Sequence, residues 1–354
     1  MRRWALSALA ILLAVSMIFT GCSGTKGSKT TSPAAPKAED AFSQTTEVVN
    51  KTEDGVLIQT AIPVYSGFSA AEELNKEIRK ISIDGIAEIK EAAKGVSGSA
   101  AEGGLYFISF FDSFLDGDVL SVKIFSENFA GGAHGFRWIR TFNLNIRTGE
   151  KYETPGALFK DPQAGTKQIT EQILADIKRH PEIYFPEAAQ TVKSLNGKYL
   201  FYLDGQNLVV YFDLYDIAPY SSGIPEFKFP LKELKTKLPL GGHTRSDVRL
   251  NGKDISFTQK VVSNENGEFL PLKDTSEALS LTVTQKNGAY FVNGKAVKPV
   301  MFNNTPYLPL QTFNDLLKES GKNGFVVFGD VLRMFLGDES QKNVPIASGS
   351  EKAS

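Results

Sequence analysis

Three aromatic-rich stretches between Leu105 and Ile146 constrain the fold most. Leu105-Tyr-Phe-Ile-Ser-Phe-Phe leads to an Asp116-Gly117 turn, and Val119-Leu-Ser-Val-Lys-Ile-Phe follows it. Strand-length apolar runs broken by Asp-Gly spell a hairpin. Phe136, Trp138, Phe142, Leu144 and Ile146 then occupy alternate positions of a third strand, closed by Thr148-Gly149. Tyr199-Leu-Phe-Tyr-Leu, Asp204-Gly205 and Leu208-Val-Val-Tyr-Phe repeat the hairpin signal, and Val56 to Tyr65 reads as extended chain. Two helical stretches interrupt the strands. One runs from a cap at Ser69 to about Ala93, with Leu74, Ile78, Ile81 and Ile89 on one face, and Gly85 weakens it without ending it. The other carries Ile169, Ile173, Leu174 and Ile177 and stops near Pro181. The expected fold class is α+β, with antiparallel sheets and packed helices.

After Lys237 the character changes. Leu238-Pro-Leu-Gly-Gly-His-Thr-Arg-Ser reads as a linker, and an internal repeat follows. Phe269-Leu-Pro-Leu with Ser276-Glu-Ala-Leu is echoed by Tyr307-Leu-Pro-Leu with Asn314-Asp-Leu-Leu. Leu250-Asn-Gly-Lys is echoed by Val292-Asn-Gly-Lys. Neither unit buries its apolar face alone, so the two form one small α+β repeat domain. The expected organisation is 1–21 signal peptide, 22–43 linker, 44–235 a first module with halves at 44–137 and 138–235, 236–247 linker, 248–340 repeat domain, and a disordered 341–354 tail.

The N-terminus sets the compartment. Arg2 and Arg3 precede an apolar run from Trp4 to Phe19, and Thr20-Gly21-Cys22 follows. A positive start, a short apolar stretch and small residues describe a secretory signal, and the run is shorter than the ~20 residues of a membrane span. The sole cysteine stands where the stretch ends. It resembles a bacterial lipobox, which implies cleavage before Cys22 and its lipidation, hence a chain tethered to the outer face of the cell membrane. The Ser/Gly/Pro-rich segment after it is a flexible spacer.

Charge and composition narrow the chemistry. With 39 Lys+Arg against 40 Asp+Glu, the chain lacks the basic excess that nucleic-acid binding needs. One cysteine and three histidines offer little for a zinc site, and we expect no metal and no cofactor. No Gly-x-Ser-x-Gly elbow, phosphate loop or His-Glu-x-x-His helix is present, so no catalytic residues are assigned. Asp112, Asp116 and Asp118 do not match an EF-hand spacing and belong to the Asp-Gly turn.

Two motifs remain as candidate binding residues. Gly131-Gly-Ala-His-Gly135 presents His134 as an exposed base or ligand, or else as a loop residue bonded to a backbone carbonyl. Tyr211-Phe-Asp-Leu-Tyr-Asp-Ile-Ala-Pro-Tyr-Ser-Ser-Gly-Ile-Pro-Glu-Phe holds Tyr211, Tyr215 and Tyr220. These tyrosines either stack on sugar or anchor a protein, or close a core edge.

Together with Thr148-Gly149 and Leu158-Phe159, these motifs resemble two domain families of unknown function, 4163 and 3298, over residues 44–235. Such modules occur in the extracellular part of a lysozyme-sensing anti-sigma factor and ahead of the catalytic domain of a peptidoglycan deacetylase. This chain has no sigma-binding segment before its apolar run and no deacetylase metal motif, so the resemblance carries over binding. Residues 248–340 resemble the copper amine oxidase N-terminal-like domain through the paired Leu-Pro-Leu units and Asn-Gly-Lys turns, without copper ligands. The resemblance implies a non-enzymatic envelope lipoprotein of a Gram-positive type, anchored through Cys22, with a lysozyme-like protein or peptidoglycan as partner. The alternatives are a wall-polysaccharide enzyme or accessory using His134, and a structural envelope protein.

Overall fold

The computed structural model describes residues 42–96, 104–241, 243 and 245–337. Cys22, the signal and spacer segments and the 341–354 tail lie outside the described residues. Among the described residues strand makes up 40% and helix 26%, in several antiparallel sheets with five helices, so the fold class is α+β as expected.

Strands β1 (Ser43–Glu53) and β2 (Val56–Ser66) form a hairpin, and helix α1 (Ala71–Ala93) follows. β3 (Leu105–Asp116), β4 (Val119–Phe129) and β5 (Phe136–Asn145) complete a five-stranded sheet in sequence order. Every pair in it is antiparallel except β2 with β3, joined through α1. A parallel neighbour needs such a crossover, because a tight turn only reverses the chain. Gly85 lies where α1 crosses β3: a Cβ there would stand 2.3 Å from the Phe107 ring. Ser69 does not cap α1. The capping position is Ala70, without a side-chain hydrogen bond, and Asn75 instead ties the helix to the backbone of Tyr65 at 2.8 Å in both directions.

Past the Thr148-Gly149 turn, where Asn145 Oδ1 accepts from the Arg147 and Thr148 amides, come α2 (Pro162–Arg179) and α3 (Ala188–Ser194). Asp161 caps α2 by accepting from the Gln163 and Ala164 amides, each at 3.1 Å, and Pro162 takes the first helical position. Asp161→Ala is expected to cost about 1 kcal/mol in thermal unfolding. β6 (Leu200–Leu203), β7 (Asn207–Tyr211) and β8 (Glu226–Pro230) make a three-stranded antiparallel sheet. Phe201, Leu203, Leu208 and Val210 face a core with Ile169, Ile173 and Val192 of the helices. Tyr202, Val209 and Tyr211 pack with Ile139 and Phe125 of the larger sheet. Both faces of β6 and β7 are covered, which is why these two strands are apolar at nearly every position, whereas the edge strand β8 alternates with Glu226 and Lys228 exposed.

The repeat region contains β9 (Val248–Leu250), β10 (Lys253–Asp254), β11 (Val262–Asn264), β12 (Gly267–Pro271) and α4 (Leu272–Ala278). β13 (Val283–Lys286), β14 (Ala289–Val292), β15 (Lys295–Val297) and β16 (Val300–Phe302) follow. β17 (Thr305–Pro309), α5 (Leu310–Glu319), β18 (Gly324–Phe328) and β19 (Leu332–Leu336) end it. The two Leu-Pro-Leu units meet across an antiparallel pair in which Leu270 stands opposite Leu308, and each leads into a helix whose N-cap position its proline occupies. Both Asn-Gly turns adopt left-handed backbone at both residues (Asn251 φ 51°, Gly252 φ 76°; Asn293 φ 48°, Gly294 φ 81°), the geometry a two-residue hairpin requires.

The first and last strands of this region, β9 and β19, pair in parallel, and their sheet packs on the first module. Phe325 and Phe335 share a core with Val48, Ile62, Leu74 and Phe111. Asn323 and Asn50 cross-link the sheets: Asn50 Nδ2 donates to Gly324 O at 2.6 Å and Asn323 Nδ2 to Val48 O. Within the described part of 236–247, Leu240 is buried and the Gly241 amide donates to Asp116 at 2.8 Å.

At the seam sits a buried charge cluster. Asp112 of β3 accepts from Arg333 of β19 through Nε at 3.0 Å and Nη2 at 2.7 Å, and from Arg249 Nη1 of β9. Burial pushes the Asp112 carboxyl up, but Arg333, Arg249 and Lys123 together outweigh it and hold it well below the usual carboxylate range.

Candidate functional site

The loop between β4 and β5 and the segment after β7 converge at one surface. Gly131 and Gly132 take φ of 89° and 107°, open to glycine alone at low cost. Gly135 is needed for space: a Cβ there would lie 2.8 Å from Asn128 O and 3.1 Å from the Tyr106 hydroxyl. The resulting tight loop places the His134 ring flat on Tyr220, with centroids 3.8 Å apart and planes at 24°. The Tyr220 hydroxyl donates to Gly135 O at 2.8 Å, and His134 Nδ1 lies 2.9 Å from the same oxygen. A carbonyl only accepts, so this hydrogen bond requires a proton on Nδ1.

Tyr215 extends this stack. Its ring lies 6.1 Å from that of Tyr220, it is 50% exposed, and its backbone φ is 69°. A tyrosine in left-handed backbone carries a strain of order 1 kcal/mol or more. The surrounding turn holds it there: the Asp213 amide donates to Asp216 Oδ2 at 3.1 Å, and the Asp216 amide to Asp213 O at 3.2 Å. Burial, then the neighbouring Asp213, raises the Asp216 carboxyl above its ordinary value. Arg140 of β5 ties the turn to the sheet through Asp213 at 3.4 Å.

Strand β5 supplies a second tier. Phe136 is 48% exposed and lies 5.9 Å from Trp138. Phe136 opens the strand at the loop end, where little packs over it. The Arg137 guanidinium lies 5.9 Å from the Tyr220 ring and 3.8 Å from Glu127, which accepts from the Tyr106 hydroxyl at 2.9 Å. Burial and then Glu127 push the Tyr106 hydroxyl up to about 12.

The structure thus brings His134, Tyr215 and Tyr220 together and leaves Tyr211 beneath them. Tyr211 is buried in β7, with its hydroxyl 3.3 Å from Thr141 Oγ1 and 3.4 Å from Ile139 O. Burial raises its hydroxyl well above its ordinary value. Phe136, Arg137 and Arg140 were not legible as site residues, since only the tertiary structure brings the Asp213–Tyr220 segment against this strand. Among the described residues, no carboxylate pairs with His134, and no group of three or more His, Cys, Asp and Glu is placed to hold a metal.

Residues 156–232, from the turn before α2 to the second residue after β8, match the family model of DUF3298, a protein family of unknown function. This segment is a DUF3298 domain. It contributes Tyr215 and Tyr220 to the stack, while His134 comes from outside it. Among solved structures, a DUF3298 family member from Bacteroides fragilis is similar at 20% identity, covering 56% of this chain and 95% of that chain, with a TM-score of 0.32. A DUF3298 family protein from Pseudomonas aeruginosa is similar at 15% identity, covering 55% of this chain and 93% of that one, with a TM-score of 0.31. No curated protein matches the chain.

Proposed function

We propose that this protein is a non-enzymatic binding module on the outer face of the cell membrane, tethered through lipid on Cys22. Its ligand at the cell wall is a lysozyme-like protein, docked on the Tyr215–Tyr220–His134 stack; peptidoglycan is the second candidate. The observation that carries this reading is Tyr215, half-exposed and held in strained backbone above a stacked aromatic pair. A fold maintains an exposed, strained aromatic at a net cost to stability, and such groups concentrate at ligand-contacting sites. Tyrosine suits the role, combining a large apolar face with a hydroxyl and few rotors to immobilise. The formal charge falls to −3 once Arg2 and Arg3 leave with the signal, which modestly favours a basic partner.

Calorimetric titration of residues 40–354 with a c-type lysozyme tests this. Micromolar or tighter binding is expected, weakened about tenfold or more by Tyr215→Ala or Tyr220→Ala, the range of an interface hot spot. Absence of heat at two temperatures would remove lysozyme as the ligand. Binding that both alanine variants retain would place the contact elsewhere.

A further inference from the structure

A second cleft opens on the seam between the first module and the repeat region, with a volume of about 530 Å³. Phe42 with Ser43 and Gln44 of β1, the Ser113–Leu115 end of β3, His243, Arg245 and the Gly252–Asp254 turn line it. Its charge is uneven. Among the described residues Asp254 is the one acidic residue in the lining, and two guanidiniums already share it: Arg245 Nε at 3.3 Å and Arg249 Nε at 3.4 Å. The latter contact is too poorly aligned to be a hydrogen bond, so the buried Arg249 Nε has no partner of its own. Lys253 lines the cleft too, and among the described residues no carboxylate pairs with it.

Arg245 is built into this wall. Its side chain is 9% exposed, its Nη2 donates to Gly252 O at 3.2 Å, and its guanidinium lies 5.5 Å from the Phe114 ring. Gly205 makes room for the stem, since a Cβ there would come within 2.7 Å of Arg245 Cγ. A buried guanidinium ordinarily recruits a full counter-charge. Here burial and then the repulsion of Arg249 outweigh Asp254 and Asp112, and leave Arg245 below its ordinary pKa.

We propose that this cleft binds a small oxoanion, a phosphate or carboxylate group, between the buried Arg245 and the free Lys253. The anion supplies the counter-charge that Asp254 shares between two arginines. Planar guanidinium donors beside a mobile ammonium are the pairing that recognises such groups. Because the lining comes from both sides of the seam, binding also braces the repeat region against the first module. This site is separate from the aromatic surface and does not rest on the lysozyme reading.

Thermal unfolding of residues 40–354 is followed in sodium phosphate and in sodium acetate, against sodium chloride of matched ionic strength. A saturable rise in Tm with one anion and not with chloride is expected, since a ligand of the folded state stabilises it by mass action. Response to phosphate alone assigns a phosphoryl ligand, and response to acetate alone a carboxylate. Lys253→Ala, an exposed change that leaves the core intact, is expected to weaken the apparent affinity about tenfold, and Arg245→Gln to abolish it. A Tm that follows chloride in both series overturns the proposal. So does an anion-dependent rise that Lys253→Ala keeps in full.

Discussion

Asp112→Asn is expected to destabilise the protein by about 3–5 kcal/mol, read from equilibrium unfolding in urea. The substitution keeps the shape of the side chain and removes its charge. Arg333 and Arg249, both buried, would then lose the carboxylate that accepts from Arg333 Nε and Nη2 and from Arg249 Nη1. Asp330 also pairs with Arg333, at 3.1 Å, but it lies exposed and compensates weakly. The cost comes from uncovering buried charge, so it exceeds what the ion pair is worth against an apolar replacement. The effect has a pH signature. The Asp112 carboxyl is held below its ordinary value by Arg333, Arg249 and Lys123 against the opposing pull of burial. A carboxyl depressed in the folded state contributes its full stabilisation above the unfolded value of about 4 and loses it as pH falls toward the folded value. The acid limb of the stability curve should therefore be shallower in Asp112→Asn. Equal stability of the two proteins at pH 7 would show that the cluster only offsets its own desolvation.

Ending the chain at Gly241 is expected to abolish cooperative folding of the first module. The loss would remove Phe325 and Phe335, whose rings pack with each other at 5.2 Å, and Phe335 from its place 5.5 Å from Phe111. Removing one buried phenylalanine typically costs about 3–5 kcal/mol, so losing two approaches the stability of an ordinary domain. It would also uncover Asp112 without its arginines and the edge of β1, where Asn50 and Val48 bond to residues 323 and 324. An exposed edge strand invites aggregation. Circular dichroism and ANS fluorescence of a 42–241 fragment provide the measurement. A sharp two-state transition with no ANS binding would show that the first module holds its own core.

Much of the local structure was legible before any coordinates. The Asp116-Gly117 and Asp204-Gly205 hairpins, α1 and α2, and the paired Leu-Pro-Leu units all lie where periodicity and turn chemistry put them. Where the reading failed, a tertiary contact had replaced a local one. Ser69 gave way to Asn75 as the anchor of α1, because the backbone of Tyr65 lies within its reach. Tyr211 was indistinguishable in the sequence from Tyr215 four residues on. The strand register sends Tyr211 inward, while a left-handed turn residue lifts Tyr215 out.

By itself, then, the sequence determined the α+β class, the hairpins and helices, and the two motifs that meet at the candidate site. Those features depend on spacing within one or two dozen residues, where the side-chain periods of strand and helix and the φ preferences of Gly, Asn and Asp act directly. Only the tertiary structure decided that β2 and β3 run parallel and that β9 pairs with β19. It also decided that Asp112 meets two arginines from strands at the far end of the chain and that His134 lies on Tyr220. Such pairings depend on which apolar faces find cover once the chain closes. An aspartate or a histidine carries no local mark of the partner it will meet across more than eighty residues.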